Sequence, residues 1–153
     1  MNDVDRLIAI EDIKRVKAHY CRAIDEKKLE EWRDVFCADA VALTSHAEGG
    51  QIVGVDALIE MTARVLEGAV TVHHIHAPEI DILSDDGAVG IWAMEDRIYW
   101  PVERPNFFGA KRQFRGAGFY REKYRRTAAG WRISQIQLVR QVLERDGEPV
   151  IGG

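Results

Sequence analysis

The first half of the chain carries apolar residues at the spacing of amphipathic helices. Over residues 5–24 an apolar side chain recurs every three or four positions, which places these side chains on one side of a helix. The same spacing predicts a second helix over residues 28–36 and a third over residues 55–66. Between them, a glycine-rich turn at Gly49 and Gly50 leads into a short predicted strand, Gln51–Val53.

Beyond Gly68 the pattern changes to β-branched and aromatic residues in segments that suit strands. Turn-forming residues separate these segments at 85–87, 101–109 and 127–130. Helices followed by a run of antiparallel strands are typical of an α+β domain rather than a doubly wound one. We therefore expect one domain over residues 1–146, followed by a loose tail over residues 147–153 that is rich in glycine.

Composition and charge narrow the class of protein. The 153 residues are 46% hydrophobic, which is enough for a core without disulfides or metal. The net charge is −4 and the charges are interspersed, so no basic stripe is available to bind nucleic acid phosphates. There is no apolar run of the roughly 20 residues that a membrane helix needs. Two cysteines and an acidic amino-terminal segment predict a protein of the reduced cytoplasm.

One carboxylate falls among apolar residues on a predicted strand. Alternation along residues 88–100 puts Trp92, Met94, Asp96 and Trp100 on the same face. A carboxylate buried in such a face must be hydrogen-bonded, paired or protonated, because an unpaired buried charge is costly. Asp96 is therefore either a functional group in a cavity or the partner of a nearby arginine.

Three of the five histidines lie close together at His73, His74 and His76. Strand alternation separates His73 from the other two, but Pro78 is typical of a bulge or an edge strand, and a bulge would change the register. Local pattern alone therefore does not choose among the three. At least one of them is expected to pair with surface carboxylates.

A metal site is an alternative interpretation of this segment. His74 and His76 share a face, and Glu79 or Asp81 would provide a third ligand. A chain that begins with helices does not fit the barrel in which such a motif is usual, so we do not predict a metal.

Tyr20 and Asp25 lie five residues apart near the end of the first predicted helix. The plain interpretation is a core tyrosine and a helix-capping aspartate. Cys21 and Cys37 are interpreted as buried thiols within helices. Arg140, near the end of the last strand, would bind either a substrate anion or an acidic side chain.

Longer segments resemble the SnoaL-like branch of the nuclear transport factor 2-like superfamily. The resemblance spans residues 10–140 and rests on YCRAID at 20–25, HHIHAPEI at 73–80, GIWAMED at 90–96 and GWRI at 130–133. Members include scytalone dehydratase, bile acid 7α-dehydratase, hexachlorocyclohexane dehydrochlorinase and polyketide cyclases. The resemblance implies a cone-shaped α+β barrel, in which three amino-terminal helices pack on a strongly curved mixed or antiparallel sheet that encloses a pocket.

The resemblance also implies a set of catalytic residues. In the dehydrochlorinase an aspartate that ends the first helix orients a histidine on the sheet, and these positions match Asp25 and His73. The bile acid dehydratase adds a tyrosine and a second aspartate at spacings that match Tyr20 and Asp96. Two departures are Ala77, where relatives often carry asparagine, and Tyr20 itself, where the dehydrochlorinase carries lysine. The second departure argues against a halide site.

These residues predict a dehydratase-type lyase that needs no cofactor and acts on a small hydrophobic cyclic substrate, which is steroid-like, polyketide or aromatic. His73, oriented by Asp25, would remove a proton from carbon, while Tyr20 and a protonated Asp96 would assist the departing oxygen. Other residues expected to line the pocket are Trp92, Met94, Trp100, Phe114 and Arg140.

Three alternatives use the same pair of residues: an isomerase, a dehydrohalogenase and a carbon–carbon lyase. A further alternative is a non-catalytic binding domain similar to the small subunit of ring hydroxylases. The resemblance also implies a homo-oligomer, either a dimer or a trimer.

Overall fold

The computed structural model describes residues 1–44, 50–101, 106–109 and 112–150, in which three helices pack against a curved, unclosed mixed sheet. The predicted α+β class is therefore confirmed. Gly49 and residues 151–153 lie outside the described residues. In chain order the elements are α1 Asp3–Asp25, α2 Leu29–Arg33, β1 Phe36–Leu43, β2 Gln51–Val53, α3 Val55–Val65, β3 Val70–Ile82, β4 Gly87–Tyr99, β5 Gln113–Thr127, β6 Gly130–Arg145 and β7 Glu148–Val150.

The sheet follows the order β2-β1-β6-β5-β4-β3, and β7 pairs with β6. Every pairing is antiparallel except that of β1 with β6, which is parallel. Within the described residues β3 forms one edge of the sheet. The backbone of an edge strand has free hydrogen-bonding groups, so β3 is able to bond to a side chain from another element.

The second helix is shorter than its apolar spacing predicts. It ends at Arg33, and Phe36–Leu43 form strand β1 between β2 and β6. The buried positions of β1 do not alternate regularly, so no strand pattern is visible in this segment of the sequence. Cys37 consequently lies in a strand and not in a helix, although it is buried as expected. Pairing with the distant strand β6 decides this conformation.

Two of the four register shifts in the described sheet set which side chains face its concave side. In β3 the register with β4 shifts between Ile75 and Pro78, which confirms the bulge predicted from the proline. In β6 the register with β5 shifts beside Ile133, so that buried positions change from odd to even numbers and Arg140 turns inward. Each bulge inserts one residue and reverses the alternation beyond it.

The carboxyl-terminal segment is more ordered than its composition suggests. Glu148–Val150 pair with the end of β6, and the connection is the two-residue turn Asp146-Gly147. Both turn residues have positive φ angles, 51° and 83°. A type I′ hairpin turn needs this conformation, and Asp-Gly is a favoured sequence for it.

A fully buried ion pair joins α1 to the sheet. Lys17 Nζ lies 2.5 Å from Glu122 Oε1, and both side chains are 0% exposed. Glu122 also accepts a hydrogen bond from Tyr124, whose hydroxyl accepts one from Trp92 at 2.8 Å. The Lys17 ammonium lies over the ring of Tyr20 at 3.9 Å from its centroid, which adds a cation–π contact.

We expect Lys17→Met to destabilise the protein by about 3–5 kcal/mol, because Glu122 would remain buried as an unpaired charge. The double variant Lys17→Met/Glu122→Gln removes both charges but keeps an acceptor for Tyr124, so it should recover most of that loss. Urea unfolding followed by circular dichroism measures both.

Lys14→Met provides the matched control, because Lys14 lies one turn earlier in α1 and its pair with Glu11 is exposed. It should cost less than about 1 kcal/mol. Equal destabilisation of the single and double variants at Lys17 would contradict the charge argument.

Candidate active site

Asp25 and His73 meet where the end of α1 crosses strand β3. His73 Nδ1 lies 2.6 Å from Asp25 Oδ1, and the backbone N–H of His73 donates to Asp25 Oδ2 at 2.8 Å. Thr71 Oγ1 donates to Asp25 Oδ1 at 2.9 Å. Three donors thus bind one carboxylate, which holds the imidazole ring at a defined angle to the helix.

The secondary structure explains why these groups meet. Asp25 is the last residue of α1, so its side chain projects from the end of the helix. Thr71 and His73 are both buried and lie two residues apart on β3, before its bulge, so both face the helix. Because β3 is an edge strand, the backbone N–H of His73 is available to the carboxylate.

The contacts of Asp25 lower the pKa of its carboxyl group. Burial raises the pKa of Asp25, but the hydrogen bonds from His73 and Thr71 outweigh burial and leave that pKa below its usual value. An ionised carboxylate beside Nδ1 assigns the proton of the neutral ring to Nδ1. The other nitrogen, Nε2, is then the basic atom, and His73 lines a cavity.

The cavity beside His73 has a volume of about 260 Å³. His73, Tyr20, Asp96 and Arg140, which were all predicted from the sequence as site residues, lie on its wall. The other described residues of the wall are Ile24, Trp32, Phe36, Ala42, Leu43, Thr44, Ile52, Leu58, Thr62, Val65, Ile98, Tyr120, Ile136 and Leu138. Most of this wall is apolar, which is typical of sites for small organic ligands.

A larger cleft of about 630 Å³ lies beside α1 among Arg15, Arg22 and Arg132. It contains none of the predicted catalytic residues. The smaller cavity is the better candidate because the oriented histidine lies in its wall.

Asp96 pairs with Arg140 in the wall of the cavity. Arg140 Nη1 donates to Asp96 Oδ1 at 2.8 Å and Nη2 donates to Oδ2 at 2.5 Å. The predicted apolar face of β4 is confirmed, since Asp96 is only 3% exposed. The expected role of Asp96 as a protonated acid disagrees with this geometry, because both of its oxygens accept charge-assisted hydrogen bonds. Asp96 instead orients the guanidinium group.

Four residues expected in the pocket do not line it. Trp92 and Met94 are buried nearer the start of β4, and the Trp92 indole donates a hydrogen bond to Tyr124 in the network of the Lys17 pair. Trp100 and Phe114 pack together in an aromatic cluster, where the Trp100 indole donates to the carbonyl of Glu67. In the chain these residues fall on either side of Asp96 and Ile98, which do line the cavity.

The structure adds residues that the sequence did not indicate. Tyr120 lines the cavity with its ring centroid 5.8 Å from that of Tyr20. Burial raises the pKa values of both hydroxyls, so both remain protonated donors. Trp32 also lines the cavity, and its indole nitrogen is buried with no hydrogen-bond partner in the described part of the chain. Thr71, which donates to Asp25, is a further site residue that the sequence analysis did not name. Its place in the site could have been predicted from the sequence, because it precedes His73 by two positions on the same face of a strand.

The neighbouring histidines point away from the site. His74 is exposed and lies 3.6 Å from Glu95, which confirms the expected surface pairing of one histidine with a carboxylate. His76 is also exposed. Among the residues that the structure describes, histidine, cysteine and carboxylate side chains do not cluster in groups of three or more that would hold a metal.

The lowered pKa of Asp25 predicts a pH-dependent contribution to stability. The folded protein holds this carboxylate below its unfolded pKa of about 3.9, so the contribution is present above that pH and is lost as the pH falls through the folded value. We expect Asp25→Asn to cost about 1–2 kcal/mol at pH 7 and progressively less as the pH is lowered below about 3.9. Thermal unfolding of both proteins between these pH values measures the difference, and a constant difference would contradict the assignment.

Gly116 on β5 makes room for the pair of Arg140 and Asp96. A Cβ atom at this position would overlap Arg140 Nη1. We therefore expect Gly116→Ala to displace the guanidinium group and to cost about 1–3 kcal/mol, because Asp96 loses its buried partner. A crystal structure and urea unfolding measure the two effects.

Gly87→Ala is the matched control, since a Cβ there meets only the Ser84 hydroxyl at 3.1 Å. It should change stability by less than about 0.5 kcal/mol. Unchanged distances between Arg140 and Asp96 in the Gly116 variant would refute the steric argument.

None of the described helices is long and apolar enough to cross a membrane.

Solved structures with the same fold include a type 2 hexachlorocyclohexane dehydrochlorinase, which has a TM-score of 0.78 at 18% identity over 99% of this chain and 95% of that one. Kfla4162 from Kribbella flavida has a TM-score of 0.80 at 19% identity over 91% and 95% of the two chains. A protein provisionally described as a scytalone dehydratase, from Novosphingobium aromaticivorans, has a TM-score of 0.76 at 18% identity over 94% of this chain and 91% of that one.

At these identities the structural likeness establishes the fold. The sequence profile of the SnoaL-like domain matches residues 5–137, which is most of the chain. The chain therefore belongs to the SnoaL-like family of the nuclear transport factor 2-like superfamily.

Proposed function

We propose that the protein is a dehydratase-type lyase in which His73 removes a proton from carbon. The observation that supports this most directly is the hydrogen bond between Asp25 and His73 Nδ1, 2.6 Å long, in the wall of an apolar cavity. A carboxylate that fixes one ring nitrogen leaves the other as a general base of defined direction. The name of the dehydratase neighbour supports the same class of reaction.

The proposed reaction is an elimination of water from a β-hydroxy carbonyl compound. Nε2 of His73 takes the proton from the carbon beside the carbonyl group, and that electron pair forms a carbon–carbon double bond. The bond from the β-carbon to oxygen breaks, and the oxygen leaves as water after it receives the proton that the imidazolium of His73 carries. The Tyr20 hydroxyl donates a hydrogen bond to the departing oxygen. The remaining N–H groups of Arg140 stabilise negative charge on the carbonyl oxygen.

Cavity size and chemistry support a compact cyclic substrate. A volume of about 260 Å³ lies below the range of about 300–1,000 Å³ that is usual for drug-sized ligands. One- or two-ring compounds fit this volume better than four-ring steroids do. Protonated Tyr20 favours an oxygen leaving group, because a neutral hydroxyl is able to donate a hydrogen bond to the departing oxygen.

We also propose that the protein acts in the reduced cytoplasm as a homo-oligomer. The two cysteines are free and buried, which suits a reducing compartment. Exposed apolar side chains on the strands, such as Tyr99 and Val142, support contact between copies.

We expect His73→Ala to lower the rate of proton removal by about 10²–10⁴-fold, because a positioned general base contributes about that much. One- and two-ring β-hydroxy ketones and their deoxy analogues are incubated with the protein in D₂O. Nuclear magnetic resonance then measures deuterium incorporation beside the carbonyl group and formation of the alkene. The deoxy analogues report proton removal even when no group can leave.

His74→Ala is the matched control, since His74 is the next residue and is exposed. It should keep the wild-type rate. The enzyme hypothesis would be wrong if the His73 variant were as fast as wild type, or if wild type bound the panel, as judged from its intrinsic fluorescence, without exchange or elimination.

A further inference from the structure

The turn after α1 contains a residue in an unfavourable backbone conformation. Lys27 has φ = 61°, in the left-handed region that favours glycine. Its N–H donates to the carbonyl of Ile24, and the N–H of Lys28 donates to that of Ala23. These two bonds define a Schellman motif, in which the left-handed position is usually glycine. A lysine at this position suggests that its side chain has a role.

The side chain of Lys27 turns back toward the catalytic pair. Its Nζ donates to Thr71 Oγ1 at 2.5 Å and to the Ile24 carbonyl at 3.3 Å. The same Thr71 hydroxyl donates to Asp25 Oδ1 at 2.9 Å, and that oxygen contacts His73 Nδ1. A continuous chain of hydrogen bonds therefore runs from the ammonium group through threonine and aspartate to the imidazole.

Lys28, the next residue, behaves differently. It forms exposed ion pairs with Glu26 and Glu31 on the surface. Lys27 has no ion pair of this kind with a carboxylate in the described ranges; its nearest negative charge is Asp25, one hydroxyl group away. The two adjacent lysines thus have the same chemistry in different surroundings.

The charge of Lys27 bears on the catalytic histidine. The negative charge of Asp25 favours the imidazolium form of His73, which is useless as a base. The Lys27 ammonium group, which is linked to Asp25 through the Thr71 hydroxyl, offsets part of that negative charge. The other charged groups near His73 are Asp96 on β4 and Arg140 on β6, which neutralise each other as a pair. The remaining titratable groups on the cavity wall, Tyr20 and Tyr120, are neutral.

We propose that Lys27 is a positioning residue that acts through Thr71: it holds the Asp25 carboxylate in place and offsets its charge, so that His73 stays unprotonated to lower pH. This inference deepens the proposed function, because a neutral His73 is what a base needs. Burial of its ammonium end lowers the pKa of Lys27, and the negative charge of Asp25 opposes that change.

The test is a nuclear magnetic resonance titration of the His73 ring, assigned by comparison with His73→Gln. In Lys27→Met we expect the titration midpoint to rise by about half a pH unit or more, and Lys27→Arg should restore it. Lys28→Met is the control and should leave the midpoint unchanged. A midpoint that moves by less than about 0.1 unit in Lys27→Met would overturn the proposal.

Lys27→Gly separates charge from backbone conformation. Glycine relieves the left-handed strain, so this variant should unfold at a temperature no lower than Lys27→Met does, yet its His73 midpoint should rise as much. If the midpoint were restored in Lys27→Gly, the effect would come from the backbone and the proposal would be wrong.

Thr71→Val tests the intermediate step. Replacing the hydroxyl with a methyl group removes the link, so Lys27→Met should shift the midpoint less in this background than in wild type. An undiminished shift would show that Lys27 does not act through Thr71.

A kinetic measurement connects the inference to the proposed reaction. The acid limb of the pH profile of kcat/KM should move to higher pH in Lys27→Met by the same amount as the ring titration. The titration needs no substrate, so the two hypotheses fail separately: an inactive wild type refutes the proposed function, and an unmoved midpoint refutes the role of Lys27.

Discussion

The contact between the Asp25 carboxylate and His73 is the constraint on which the site depends. It joins the last residue of a long helix to the edge strand of the sheet, and it uses both the side chain and the backbone of His73. The carboxylate is satisfied by three donors, so it remains charged although it is partly buried. Because none of the described strands lies beyond β3, the helix end takes the place of a sheet neighbour.

Two buried ion pairs flank this contact at different depths. Lys17 and Glu122 lie beneath the helix, whereas Asp96 and Arg140 lie in the wall of the cavity. Such pairs add little stability relative to apolar packing, because desolvation of the charges offsets their attraction. Their effect is on position: one fixes the ring of Tyr20 by a cation–π contact, and the other holds a guanidinium group in the wall of the cavity that His73 also lines.

Proteins with different descriptions share this fold, so the fold alone does not define a reaction. The residues that could carry chemistry lie on the concave face of the sheet. Single inserted residues in β3 and β6 decide which side chains reach that face. Without the shift in β6, Arg140 would point outward and Asp96 would be an unpaired buried charge. Small local changes of register therefore have large consequences for what the cavity is able to bind.

The sequence by itself determined the α+β class, the helical stripes and the face of β4 that carries Asp96, because periodicity is a local property. Family spacing selected His73, and Pro78 indicated the bulge. Only the tertiary structure decided that Phe36–Leu43 form a strand, that Asp96 meets Arg140 and that Trp92 and Trp100 lie outside the cavity. These features depend on residues that are far apart in the chain and meet only when the curved sheet and α1 pack together, so no local pattern encodes them.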